Sequence, residues 1–227
     1  MINFLEEVEQ QFHFTYPQTY KQLCIDGMLD WGEFGPNWKE TYWEKFKANP
    51  PLLLFGYDIE LIPLENIKED TEEMKHEEDF WYLNPKFEFI PFAMSSGGDM
   101  YVFQLDKQVG EDVPIVFVSH EDTTATVLAK NLQDFIFRKM LEQVTEIFET
   151  DEITKEILAN SLRTHSPYLT KEQVVVIENI YQREFQITEA FGETLRYLLT
   201  EEEWHQLIKQ HIDFDRLGEE FEYSDVV

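Results

Sequence analysis

Pro91-Phe92-Ala93-Met94-Ser95-Ser96-Gly97-Gly98-Asp99-Met100-Tyr101-Val102-Phe103 is the stretch on which the fold turns. Two apolar arms flank a short run of small and polar residues, and that pattern predicts strand, tight turn, strand. Gly97 and Gly98 permit the positive φ that such a turn requires. Asp99 is placed to accept hydrogen bonds from backbone N–H groups of the turn. Along the second arm Met100, Val102 and Gln104 face one way, and Tyr101, Phe103 and Leu105 the other. Tyr101 and Phe103 therefore enter a core. A glycine-dependent turn locked by a carboxylate explains these residues better than an anion nest, because Asp99 would repel the anion.

Working outward, Val113 to Ser119 is apolar on both faces, as in a central strand, and Pro114 near its start costs little hydrogen bonding. Asp106 to Asp112, with Gly110, is a polar hairpin loop leading into it. Phe80 to Leu83, Phe87 to Phe92, Leu52 to Phe55 and Ile59 to Pro63 read as further strands. Hairpin connections make the sheet mainly antiparallel. Before it, residues 3–13 carry Phe4, Leu5, Val8 and Phe12 at helical spacing. Pro17 opens a second helix with Tyr20, Leu23 and Cys24 on its apolar face, and Gly27 is its left-handed cap. The aromatic stretch from Trp31 to Pro51 reads as an irregular insertion. Glu69 to Asp79 is acidic and reads as a solvated helix face or loop.

Asn131 N-caps a helix that carries Leu132, Phe135, Ile136, Met140 and Val144. From about residue 145 the pattern is helical to the end. Ile153, Ile157 and Leu158 form one stripe, and Phe191, Leu195 and Leu198 continue the spacing. Thr170-Lys171-Glu172-Gln173 and Thr200-Glu201-Glu202-Glu203 are capping boxes. The expected class is α+β: a mainly antiparallel sheet flanked by helices over residues 1–144, then an all-helical C-terminal extension, 145–227, packed on it. Trp204 in that extension is expected to be buried.

The chain has 46 acidic against 18 basic residues, a formal charge of −28. Too few cations remain for the basic stripe that nucleic acid or an anionic membrane surface demands. A basic protein is the favoured partner, because a large negative field speeds its encounter; the alternative is that the acidity only maintains solubility. With 43% hydrophobic and 15% aromatic residues the chain is too apolar for intrinsic disorder. Cys24 is alone, so no intrachain disulfide forms, which fits a reducing compartment. The N-terminus lacks the basic and apolar regions of a signal peptide, and no apolar run approaches the ~20 residues that span a bilayer. The chain reads as cytoplasmic.

Ser95 to Asp99 lacks the spacing and the lysine of a phosphate-binding loop, and neither GxSxG nor HExxH occurs. His76-Glu77-Glu78-Asp79 and His120-Glu121-Asp122 look like ligand clusters only superficially, since adjacent residues do not share a helix face. Cys24 on an apolar helix face is a small hydrophobe rather than a nucleophile. No catalytic constellation, cofactor site or metal site stands out, and the expectation is a protein that is not an enzyme.

Four segments in order resemble the SUKH superfamily, which includes the Smi/Knr glucan-synthesis regulators. They are Pro17-Gln18-Thr19-Tyr20-Lys21-Gln22-Leu23 with Gly27, the hairpin Pro91 to Phe103, Val113-Pro114-Ile115-Val116, and Ala129-Lys130-Asn131-Leu132-Gln133-Asp134-Phe135-Ile136. The resemblance spans about residues 3–140 and is silent on the tail. Its motif residues here are Pro17, Tyr20, Gly27, Pro91, Gly97, Gly98, Asp99, Tyr101 and Phe103, in structural roles. It implies a non-enzymatic binding fold, and many bacterial members look like immunity proteins for polymorphic toxins. The expected partner is a basic toxin domain blocked by occlusion, with Trp31, Trp38 and Trp43 as anchors; the alternative is a regulatory or scaffold protein of the cell-wall type.

Overall fold

A computed structural model describes residues 2–76, 82–190 and 192–224. The helices are α1 (Ile2–Phe12), α2 (Gln18–Ile25), α3 (Trp38–Ala48), α4 (Ile67–Glu73), α5 (Leu132–Glu142), α6 (Lys155–His165), α7 (Lys171–Tyr181) and α8 (Glu201–His211). The strands are β1 (Glu60–Leu61), β2 (Phe89–Met94), β3 (Met100–Gln104), β4 (Ile115–Val118), β5 (Thr124–Ala129), β6 (Ile147–Phe148), β7 (Gln186–Ala190), β8 (Glu193–Tyr197) and β9 (Glu220–Glu222). The fold is α+β. The chain forms two compact units: a sheet unit of Met1–Asp26, Asp58–Phe135 and Phe214–Val227, and a helical unit of Gly27–Tyr57 and Ile136–Asp213. Both units draw on both sides of residue 144.

The sheet unit holds an antiparallel sheet in the order β1-β2-β3-β4-β5-β9. Its strands alternate between two apolar faces. One face places Phe89, Val102, Val116, Val118, Ala125 and Val127 against Met74, Leu83 and Tyr223. The other is aromatic: Phe103 lies 4.7 Å from Phe92 and 5.2 Å from Tyr20, centroid to centroid, and Tyr101 lies 5.4 Å from Phe135 at the start of α5. Tyr101 and Phe103 are both buried. Pro17 is the N-cap of α2, and Gly27 follows that helix at φ +73. Asn131 caps α5 by accepting from the Asp134 N–H at 3.0 Å.

Several elements differ from the sequence reading. Strand β5 was not anticipated, although Ala125, Val127 and Ala129 alternate with half-buried neighbours at period two. Strand β9, expected as helix, pairs Phe221 with Ala125. Leu52 to Phe55 is a run of turns, not a strand. Two prolines precede it and remove backbone donors, and Leu53 sits at φ +52. Phe80 and Trp81 lie outside the described residues; Tyr82 and Leu83, from the same expected strand, are not in strand conformation. Phe4, counted on the apolar face of α1, is 41% exposed.

The helical unit contains α3, α6, α7, α8 and all but the start of α5, with a small sheet in the order β6-β8-β7. Both capping boxes form: Thr170 and Gln173 bond reciprocally, as do Thr200 and Glu203. Trp204 is buried, with Arg138 over its ring at 4.7 Å. The C-terminal carbonyls of α3 are satisfied from α6: Asn160 Nδ2 donates to Lys47 O at 3.0 Å and an Arg163 guanidinium nitrogen to Ala48 O at 2.6 Å. The extension is mainly helical but not wholly so. Leu195, read as part of a helical stripe, lies on β8, and Phe191 is outside the described residues. The β7–β8 hairpin turns at Gly192, φ +80, and one hairpin's short alternation is easily absorbed into a helical period.

Candidate functional site

The hairpin motif is built as a lock. Ser95 N–H donates to Asp99 O at 2.8 Å, and Gly98 N–H to Ser95 O at 3.1 Å. The Asp99 carboxylate does not bind the turn's own N–H groups, as its position suggested. It accepts from the Ser95 hydroxyl at 2.9 Å and from the His120 backbone N–H at 2.9 Å, and its Oδ1 lies 2.7 Å from His120 Nδ1. It thereby ties the β2–β3 turn to the end of β4. Burial alone would raise its pKa, but the hydrogen bonds from His120 and Ser95 outweigh that and hold it below the usual carboxylate range. Asp58 takes the N–H and hydroxyl of Ser96, and Tyr101 donates its hydroxyl to Asp58 O at 3.0 Å.

Of the two glycines, only Gly98 has positive φ, +96. A Cβ on Gly97 would meet its nearest atom, Ser95 Oγ, at 3.5 Å, an ordinary contact. Gly98→Ala is therefore expected to cost about 1–2 kcal/mol and Gly97→Ala less than about 0.5 kcal/mol. Urea unfolding of the two variants checks this, and equal losses would contradict the assignment.

The tryptophans of the aromatic insertion fall in the helical unit, where residues 38–48 form α3 rather than irregular chain. Trp38, Tyr42 and Phe46 recur every fourth residue, a helical period visible in the sequence. Trp31 is buried, its Nε1 donating to Leu52 O at 3.0 Å, so it is a core residue and not a surface anchor. Trp38 and Trp43 are half-buried. Phe34, 51% exposed, stacks on Trp38 at 5.9 Å with the rings 14° from parallel. Trp43 stands edge-on to Phe55 at 5.5 Å and donates Nε1 to Glu152 Oε2 at 3.2 Å. Lys39 bonds the other Glu152 oxygen at 2.8 Å and holds that carboxyl below its ordinary pKa. The sequence reading missed Phe34, in the loop before α3, as the most accessible ring of the set, because a loop ring's exposure depends on which distant chain covers it.

Beside Glu152 a groove of about 740 Å³ opens between α3, the start of α6 and the β7–β8 hairpin. Ile153 and Ile157 are buried in its floor, and Ile187 is 69% exposed at its side. Glu44, Glu152 and Glu156 supply carboxylates to its lining.

The other sequence candidates lead elsewhere. Cys24 is buried, and burial raises its pKa, which keeps the thiol protonated. His120 is joined to Asp99, while Asp122 accepts from Thr124. Residues 77–79 of the His76 cluster lie outside the described residues. Among the described residues no group of three or more His, Cys, Asp or Glu is placed to hold a metal ion, and no helix is long and apolar enough to cross a membrane.

The sheet unit is thus an α+β arrangement, an antiparallel sheet with helices over an aromatic face, closed by a serine–aspartate hairpin lock. The model of the SMI1 / KNR4 family (SUKH-1) matches residues 3–138, more than half of the chain. The chain belongs to that family. No curated protein and no solved structure matches it.

Proposed function

We propose that this chain is a protein-binding module that neutralises a basic toxin by occlusion. The observation that carries the reading is the aromatic surface at α3, with half-exposed Phe34 stacked on Trp38, in a chain of formal charge −28. Charge brings a basic partner in quickly, and desolvated aromatic anchors hold it. Membership of the SUKH-1 family supports a binding role rather than catalysis. The same membership favours, as a second reading, a regulatory scaffold of the cell-wall-synthesis type. A secreted toxin gene immediately upstream would support immunity over regulation.

The test starts from a partner captured from native lysate and identified by mass spectrometry. An immunity protein abolishes that partner's toxic activity at equimolar ratio. The association rate should fall at least tenfold between ~0.01 and ~0.15 M salt, as the screening length contracts from ~30 to ~8 Å. Phe34→Ala should weaken the complex about tenfold. A rate unchanged across the salt series rejects steering, and an active toxin in a saturated complex rejects neutralisation.

A further inference from the structure

We infer that α6 is the positioning element of the aromatic surface: Asn160, Arg163 and above all His165 fix residues 47–53, and through them Trp31, Trp38 and Phe34. The inference rests on the protein-binding reading above, and it gives a task to a helix that lies beyond the residues matched by the family model.

Three side chains of α6 bond one short segment. Asn160 donates to Lys47 O, and Arg163 to Ala48 O and, at 3.2 Å, to Asn49 Oδ1. His165 Nε2 accepts the Leu53 N–H at 2.9 Å, and its Nδ1, 2.7 Å from Ser161 O, anchors the ring to its own helix. The segment needs these ties. Pro50 and Pro51 supply no backbone donor. Leu53 sits at φ +52, a left-handed conformation that a residue with a Cβ resists. Leu53 is also buried, so its N–H has no water to turn to if the imidazole is lost.

From this turn the contacts run outward without a gap. Leu52 O accepts the Trp31 Nε1–H at 3.0 Å, Trp31 O accepts the Trp38 Nε1–H at 2.7 Å, and the Trp38 ring carries the stacked Phe34. A second branch leaves the same turn through Phe55, which stands edge-on to Trp43. Residues 31–34 belong to no helix or strand, so the place of Phe34 is set by what it stacks on. An anchor ring is worth its affinity only when its supports hold it within about 0.5 Å of the docking geometry. The supports here end on α6, and a contiguous chain of bonds is the physical route by which His165 reaches Phe34.

The test uses the full chain. Indole N–H signals followed by NMR report Trp31 and Trp38 directly, with Trp204 on α8 as the reference. His165→Leu leaves the Leu53 N–H unpaired; it should shift the Trp31 and Trp38 signals and weaken the captured partner about tenfold. His165→Gln offers an acceptor and a donor in place of the two ring nitrogens, and it should restore both signals and bring affinity back to within about twofold of wild type. Tyr181→Phe removes another buried hydrogen bond of the same unit, from the tyrosine hydroxyl to Met140 O at 2.9 Å, and should leave the two signals and the affinity unchanged. Arg163→Met, at an exposed position, keeps the test open should His165→Leu not fold: it frees Ala48 O and should shift the Trp43 signal and weaken binding about threefold. Unmoved signals in folded His165→Leu, no restoration by His165→Gln, equal shifts in Tyr181→Phe, or wild-type affinity in both α6 variants each overturn the inference. The signals need no partner, so the two readings fail differently. A failed relay leaves the signals unmoved; a failed binding reading leaves them responsive while Phe34→Ala binds like wild type, and it removes the inference with it.

Discussion

Lowering the pH from 6.5 to 4 should destabilise the helical unit by about 3 kcal/mol through one residue, His165. His165 is buried at the end of α6, and its Nε2 accepts the Leu53 N–H at 2.9 Å. A backbone N–H can meet only a lone pair, so Nε2 carries no proton. Nδ1 therefore does, and it donates to Ser161 O at 2.7 Å. Charging the ring would put a second proton against the Leu53 N–H in a dry site. Burial pushes its pKa down to about 4, against the pull of the Ser161 carbonyl. The folded pKa is thus below the ordinary value of ~6.5, and the unfolded chain binds the proton first. The stabilisation is complete above ~6.5, declines as pH falls, and is gone below about 4.

Asp70 acts in the opposite sense. Burial, with Glu73 and Glu69 nearby, raises its carboxyl to about 6, so acidification through that value favours the folded state. Asp70 lies in the sheet unit, whereas Trp31, Trp38, Trp43 and Trp204 all lie in the helical unit. Tryptophan fluorescence during urea unfolding therefore weights the unit that holds His165. The difference between wild type and His165→Gln across pH 4–7 isolates the histidine. Parallel pH profiles for the two proteins would refute the neutral-ring assignment.

Phe103→Ala should cost about 3–5 kcal/mol in the sheet unit. Phe103 is fully buried and touches rings from three segments: Phe92 on β2, Tyr20 on α2 and Tyr16 before it. One helix, the segment leading into it and a neighbouring strand thus meet on one side chain, and little can collapse into the space it leaves. Tyr101→Phe is the contrast, since it removes one hydroxyl bond to Asp58 O and should cost only about 1 kcal/mol. Urea unfolding followed by far-ultraviolet circular dichroism measures both. A loss under about 1 kcal/mol for Phe103→Ala would mean that the family motif does not centre the core. Because typical stabilities are 5–15 kcal/mol, the larger loss also predicts poor yield of the variant at 37 °C.

What the residues dictate locally was legible without a structure. The Gly98 turn, the Asn131 cap and the two threonine capping boxes are interactions over two to four residues, and each formed as read. The alternation of β3 settled which of its side chains share a face, because pleat is a property of one strand. Pairing and exposure were not legible in the same way. β9 finds β5 across nearly a hundred residues of chain, and the Leu53 N–H finds His165 at a separation of 112 residues. The segment 27–57 joins 136–213 in one unit although the family motif flanks it on both sides in sequence. The groove exists only because α3, α6 and the β7–β8 hairpin converge, and none of its glutamates differs in sequence from the many that are simply solvated. Local backbone preference is written in neighbouring residues, whereas burial and charge environment are properties of whatever distant chain arrives to cover them, and only the tertiary structure decides that.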